Sequence, residues 1–264
     1  MTLAIFIQTL KDKMRGNILA ILLVLVFVTY MVIMFPEVQK ITGIDEILKS
    51  PAFQAILGKN VDFTSFDGFM SMETFGLTSL VICGYIGFLA ASFLAGEIEM
   101  KTIDLLLAQP VTRARLVLDR YGALVPAIAL LVLALLAGIF IGTKYMNIDA
   151  SYLWFACALG FMGLFMLAFG AVSLFISAVL SDGRVAALVS LGLLIVMYFM
   201  ETIGQTVDKL NVIRSLSMFH YVSYSDILVF HNLSLGNVAV LAAVTIVFLG
   251  LAVLAFRRRD INVA

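Results

Sequence analysis

From Tyr121 to Thr143 the chain runs without one charged side chain, and from Thr74 to Gly96 it does so again. A helix rises about 1.5 Å per residue, so about 20 apolar residues cross a hydrocarbon core roughly 30 Å thick. Two such runs could be buried helices of a large soluble core, but six runs in one chain could not. The others are 17–35, 152–180, 185–207 and 235–256. Composition agrees: 62% of the 264 residues are apolar and 13% charged, where a soluble domain carries about 25% charge. Mean hydropathy is +1.10. The fold class expected is an all-α integral membrane protein, a single transmembrane domain over residues 1–264 with six transmembrane helices. The first run is read as a retained span, being too long for a signal peptide and followed by Phe35-Pro36-Glu37-Val38, no small-residue cleavage site.

Basic residues set the expected sidedness. Lys11, Lys13, Arg15, Lys101, Arg113, Arg115, Arg120, Arg184 and Arg257 to Arg259 fall in short connections on one side, which includes both termini. Lys40, Lys49, Lys59, Lys144, Lys209 and Arg214 are spread over longer connections on the other. Both termini are therefore expected in the cytoplasm. Ten of the 17 acidic residues then lie outside.

Five connections are informative. Thr2–Gly16 reads as an amphipathic interfacial helix, with Leu3, Phe6, Ile7, Leu10 and Met14 on one face. Residues 36–73 read as an outer loop containing a short helix broken at Pro51, with Ser65 as N-cap of the turn entering the second span. On the inner side, 97–120 alternates Glu97, Glu99, Lys101 and Asp104 with Ile98, Ile103, Leu106 and Leu107. Pro110 ends that piece, and Thr112 can cap a second helix through Arg113 and Arg115. Such a helix–proline–helix elbow has the shape of a docking element. Ser181-Asp182-Gly183-Arg184 reads as a tight polar turn in which Gly183 is able to take a positive φ. Outer residues 201–233 are too apolar for a solvated loop and read as two short helices dipping into the outer leaflet.

The residue types that carry chemistry are sparse. Five of the spans hold no ionisable relay of the kind coupled transporters use. His220 and His231 are 11 residues apart, too far for one helical turn to join them. They read as interfacial side chains, and Cys83 and Cys157 as packing residues inside apolar runs. The methionine pairs Met162/Met166 and Met197/Met200 read as adaptable filler, and Gly58-Lys59 lacks the upstream glycine of a phosphate loop. No catalytic, metal or cofactor-binding residue is assigned, and the balanced charge gives no reason to expect a nucleic-acid partner. Energy for any uphill transport would have to enter from a partner, and the elbow is the natural entry.

At the elbow the sequence resembles a known family. Gly96-Glu97-Ile98-Glu99-Met100-Lys101-Thr102-Ile103-Asp104-Leu105-Leu106-Leu107-Ala108-Gln109-Pro110-Val111-Thr112-Arg113 is similar to the signature of type-2 ATP-binding-cassette (ABC) transporter permeases, roughly G-E-x-E-x-G-T-L-x-L-L-L-x-x-P-V-S-R. Arg120 stands where a basic residue enters the third span, and Phe256-Arg257-Arg258-Arg259-Asp260 resembles the usual end of the family. Lys101 replaces the family's glycine and Ile103 its leucine. The resemblance implies an exporter's membrane subunit without an ATPase site of its own. It also implies a separate ABC ATPase carrying ATP and Mg, a second permease copy (homodimer or similar heterodimer), and a multi-pass place in a prokaryotic plasma membrane. Its cargo would be a hydrophobic or amphipathic drug, antibiotic or lipid. The alternatives are a lipid or glycan flippase, or a scaffold or sensor coupled to an ATPase. The ATPase-coupling residues expected on this basis are Glu97, Glu99, Lys101, Asp104, Pro110, Arg113 and Arg115, and reversing Glu97 and Glu99 is expected to uncouple without unfolding.

Two further expectations concern the spans. Cys83, Gly87, Ala91 and Ala95 form a small-residue stripe that can pack either a dimer seam or a neighbour within the subunit. The fifth run meets Glu201 after 16 residues, which rise only about 24 Å. Glu201 is therefore a possible rim of the translocation path, since a carboxylate at membrane depth needs water or a partner.

Overall fold

Each apolar run forms a helix because a backbone in lipid must satisfy its own hydrogen bonds. The computed structural model describes residues 2–40, 65–103, 112–206 and 211–259. Helix α1 is Thr2–Gln39; α2 (Phe66–Phe69), a π-helix (Met70–Leu77) and α3 (Thr78–Glu99) follow one another without a break. Then come α4 (Arg113–Gly122), α5 (Leu124–Met146), α6 (Tyr152–Val179) and α7 (Gly183–Thr206). Short α8 (Asn211–Arg214), a 3₁₀ turn (Met218–Tyr221) and α9 (Tyr224–Leu228) lead into α10 (Leu235–Arg258). Six helical stretches are long and apolar enough to cross a membrane, and the described residues contain no strand. The protein is an all-α integral membrane protein.

The helices pack around α6 and the second stretch, each 67% buried over its most apolar window, against 11% for α10 and 17% for α1. Small residues let the neighbours close in. Gly170 of α6 meets Leu124 and Ile86, and Gly163 meets Val132 and Ile128. On the other flank Gly138 faces the Leu25 carbonyl and Thr29, whose hydroxyl contacts the Gly138 carbonyl at 3.3 Å. The stripe Cys83, Gly87, Ala91, Ala95 packs within the subunit. Gly87 meets Phe169 and Ser173, and Ala91 and Ala95 pack on Ala186 and Ala187. Ser177 sits in that seam, donating to the Ala91 carbonyl and accepting from the Leu94 and Ala95 amides at 3.1 and 3.0 Å.

Four local expectations change. Residues 2–16 are helical but continuous with the first span, since Gly16 alone costs only about 1 kcal/mol and a long helix absorbs it. The side chains of Leu3, Phe6, Ile7 and Leu10 lie outside the described residues. The outer loop ends earlier than position 73: Ser65 does cap, accepting from the Gly68 amide at 3.1 Å, but the helix it starts runs straight into the second span. The loop helix broken at Pro51 lies outside the described residues. Gly183 does not take a positive φ. It is glycine for space, because a Cβ there would stand 2.9 Å from Gly96 Cα. Among its described residues the outer segment holds three short helical pieces instead of two; residues 207–210, with Val207 and Leu210, lie outside them.

Candidate functional site

Two regions combine polar side chains with tertiary geometry, one at each end of the bundle. The first is the arginine-rich face, where α1 begins and α10 ends. Helix α3 stops there in a Schellman turn: Thr102 N–H donates to the Glu97 carbonyl at 3.0 Å and Lys101 N–H to that of Ile98 at 3.1 Å. Such a turn needs a left-handed residue, usually glycine, and Lys101 supplies it with φ 55°. The lysine departs from the family pattern in side chain but keeps the backbone bend.

The polar side chains of this face join the helix ends. Arg120 is buried, forms a short ion pair with Glu97, and donates to Thr9 Oγ1 at 2.6 Å. The first, second and third stretches meet there, with Lys13 Nζ reaching Ser92 Oγ at 3.3 Å beside them. The carboxylate of Glu99 accepts from the Gly183 amide at 3.0 Å, and Asp182 accepts from Arg184 and Val185 at 2.8 and 3.0 Å. Two carboxylates thus cap the N-terminus of α7, where the helix dipole favours negative charge. At the opposite dipole ends stand guanidinium groups. Arg113 donates to the carbonyls of Phe256 (3.4 Å) and Arg259 (2.6 Å) at the end of α10. Arg259 donates to those of Ala178 (2.9 Å) and Leu180 (2.8 Å) at the end of α6, and to Ser181 Oγ. Burial lowers the Arg259 pKa from its ordinary value, though it stays a cation.

Of the expected coupling residues, Glu97, Glu99 and Arg113 therefore hold helix ends together. Lys101 turns the backbone, and Arg115 is exposed one turn into α4, whose N-cap is Thr112 as expected (Arg115 N–H to Thr112 Oγ1, 3.3 Å). Asp104 and Pro110 lie outside the described residues. Reversal of Glu97 would set a lysine against buried Arg120. The structure adds Arg259, Asp182 and Thr9, none of which was among the expected coupling residues. The signal for Arg259 was its place just past an apolar run, where a cation meets orphan carbonyls.

The second region is a cavity of about 510 Å³ at the opposite end. Its walls are the π-helix and the start of α3 (Ser71, Gly76, Ser79), α7 (Tyr198, Glu201, Thr202), the 211–226 segment (Arg214, Phe219, His220, Tyr224, Asp226) and Asn237 of α10. Helix α7 continues past Glu201, whose carboxylate is turned inward and only 8% exposed. Arg214 meets it through Nη2 at 2.7 Å and Nε at 3.2 Å, and His220 Nδ1 lies 3.6 Å away. Ser217 donates to the Met197 carbonyl at 2.7 Å, so the segment is fastened to α7 twice. Uncoupling a buried pair of this kind costs about 3–5 kcal/mol. His231, by contrast, stacks on Trp154 at 4.6 Å outside the cavity. An eight-residue π-helix in the wall is notable, because these helices are rare and concentrate at functional sites.

The family model described as "ABC-2 family transporter protein" matches residues 3–261. The chain belongs to the ABC-2 transporter family. No curated protein matches it. Membership makes the chain a multi-pass membrane subunit of an ABC transporter, a family whose permeases partner an ABC ATPase.

Proposed function

We propose that this permease is the membrane half of an ATP-driven exporter. Its arginine-rich face lies in the cytoplasm and receives a separate ABC ATPase, which binds the ATP and Mg. The observation that carries this reading is the convergence of the family motif on the helix ends. Glu97, Glu99, Arg113 and Arg120 tie together the first, second, third, fifth and sixth membrane-length helices, and Arg259 adds the fourth. A push on the elbow between α3 and α4 therefore reaches every span. Beside that elbow Met100, Lys101 and Arg115 are exposed, together with Arg184, Arg257 and Arg258, a basic rim suited to an acidic partner surface.

ATP-driven closure of two ATPase subunits would move two permeases from an inward-open to an outward-open state, with Glu201 at the rim of the exit path. Shifting such an equilibrium from about 1:99 to 99:1 takes about 5.5 kcal/mol of differential binding. The cargo is an amphipathic molecule. The test is co-purification of the tagged permease with an ABC ATPase co-expressed from the same source. Arg115→Glu should lower ATPase recovery about tenfold, the loss of one charge contact of roughly 1.4 kcal/mol, while permease yield stays unchanged. Failure of any ABC ATPase to bind the unaltered protein would refute the reading.

A further inference from the structure

Both ends of the elbow reach the same turn of the chain. At its start, Glu99 in the last turn of α3 accepts from the Gly183 amide at 3.0 Å. At its other end, Arg113 in the first turn of α4 donates to the carbonyls of Arg259 at 2.6 Å and Phe256 at 3.4 Å. Arg259 in turn lays its own guanidinium on the end of α6. Its Nη1 donates to the carbonyls of Ala178 (2.9 Å) and Leu180 (2.8 Å), and its Nη2 meets Ser181 Oγ. The hairpin between α6 and α7 is thus held from two sides over residues 178–183, by α3 directly and by α4 through the end of α10. Helix α7 starts at this hairpin and carries Tyr198, Glu201 and Thr202 to the wall of the cavity at the opposite end.

Arg259 is the single residue gripped on both sides of this second route: its carbonyl by the elbow, its guanidinium by the hairpin. The last carbonyls of a helix can be satisfied by water when the helix ends at the surface, and Arg259 is only half-buried. The fold therefore does not require a guanidinium there. What the guanidinium adds is direction. Its planar fork of donors fixes the angle between the two elements it joins, whereas a lysine brings the same charge as a compact point on a flexible stem. Charge-assisted bonds of this kind are also about twice as strong as neutral ones. We propose that Arg259 is a positioning residue for transport, passing movement of the elbow from Arg113 to the α6–α7 hairpin and so to the α7 wall of the cavity. The proposal rests on the exporter reading for the source of the movement. It goes beyond that reading by naming the hairpin as the receiver and by setting the order Arg113, Arg259, α7.

The test uses the full chain with its bound ABC ATPase in lipid nanodiscs. Thr202→Cys places a thiol in the α7 wall, and protein without that substitution gives the background from Cys83 and Cys157. Labelling by a charged thiol reagent is timed without nucleotide and with ATP and Mg under conditions that block hydrolysis. With Arg113 and Arg259 intact, ATP should speed labelling about tenfold. Arg259→Lys and, separately, Arg259→Met should each cut that acceleration to about threefold, while ATPase recovery and resistance to unfolding by dodecyl sulfate stay unchanged. Arg113→Met should give the same threefold, and so should Arg113→Met with Arg259→Met, because links in series fail once. A merely structural Arg259 would lower the resistance to unfolding and leave the acceleration whole. Full acceleration in both Arg259 variants, with the ATPase bound, would overturn the relay and leave the exporter reading standing. Losses that multiply in the double variant, leaving no acceleration, would overturn the serial order. A single rate with and without ATP when both arginines are intact would end the exporter reading, and the relay with it.

Discussion

Removal of Glu97 should cost the protein more than removal of Glu97 and Arg120 together. The Arg120 side chain is 9% exposed and that of Glu97 15%, so each is the other's main replacement for water. Removing one partner of a buried pair costs about 3–5 kcal/mol, because a charge is left without compensation. Thr9 remains hydrogen-bonded to Arg120 at 2.6 Å, so Glu97→Leu should sit at the lower end, about 3 kcal/mol. Arg120→Met leaves the carboxylate stranded at a similar cost. The double variant replaces the pair with apolar volume, and its cost should fall to about 1 kcal/mol or less. Unfolding can be followed in mixed micelles of rising dodecyl sulfate fraction through the single tryptophan, Trp154, which stacks on His231 at the opposite end and so reports loss of the whole bundle. A double variant whose cost equals the sum of the singles, about 6 kcal/mol, would show that the two side chains act independently and would refute the account of this corner.

Two further variants test the same face. Lys101→Gly should stabilise by about 0.5–1 kcal/mol in the same assay, since a left-handed backbone costs a non-glycine residue about 1–2 kcal/mol and glycine's own unfolded entropy returns part of it. Gly183→Ala should destabilise by about 1–3 kcal/mol, because its Cβ meets the backbone of Gly96 at 2.9 Å and backbone yields little.

The span count, the fold class and the caps at Ser65 and Thr112 were legible because each depends on nearby residues. Length of an apolar run and a hydroxyl before a helix are local signals. Partnerships across the bundle were not legible. Glu201 stood out because 16 residues do not cross a membrane, but its partner Arg214 could be found only once the chain after α7 had folded back. The small stripe on α3 was ambiguous for the same reason: sequence gives the spacing, and the bulk of Phe169 opposite Gly87 gives the neighbour. Gly183 was misread because glycine serves both positive φ and close approach, and only Gly96 beneath it decides. The π-helix left no pattern, since the extra residue per turn changes no composition. Glu97 and Glu99 looked like free charges of a docking face because the groups that meet them, the Arg120 guanidinium and the Gly183 amide, come from later helices.

ATP binding by an ATPase docked on the arginine-rich face is expected to open the cavity at the other end. Thr202→Cys tests it most directly, for Thr202 lines the cavity and leaves the Glu201–Arg214 pair whole. The variant is reconstituted with its ABC ATPase in nanodiscs, and thiol labelling is timed without nucleotide, with ATP and Mg under conditions that block hydrolysis, and with ADP. The account predicts labelling at least about tenfold faster in the ATP-bound state, the factor that roughly 1.4 kcal/mol of population shift supplies, with ADP restoring the slow rate. An identical rate in all three states, from a permease that retains its bound ATPase, would contradict it.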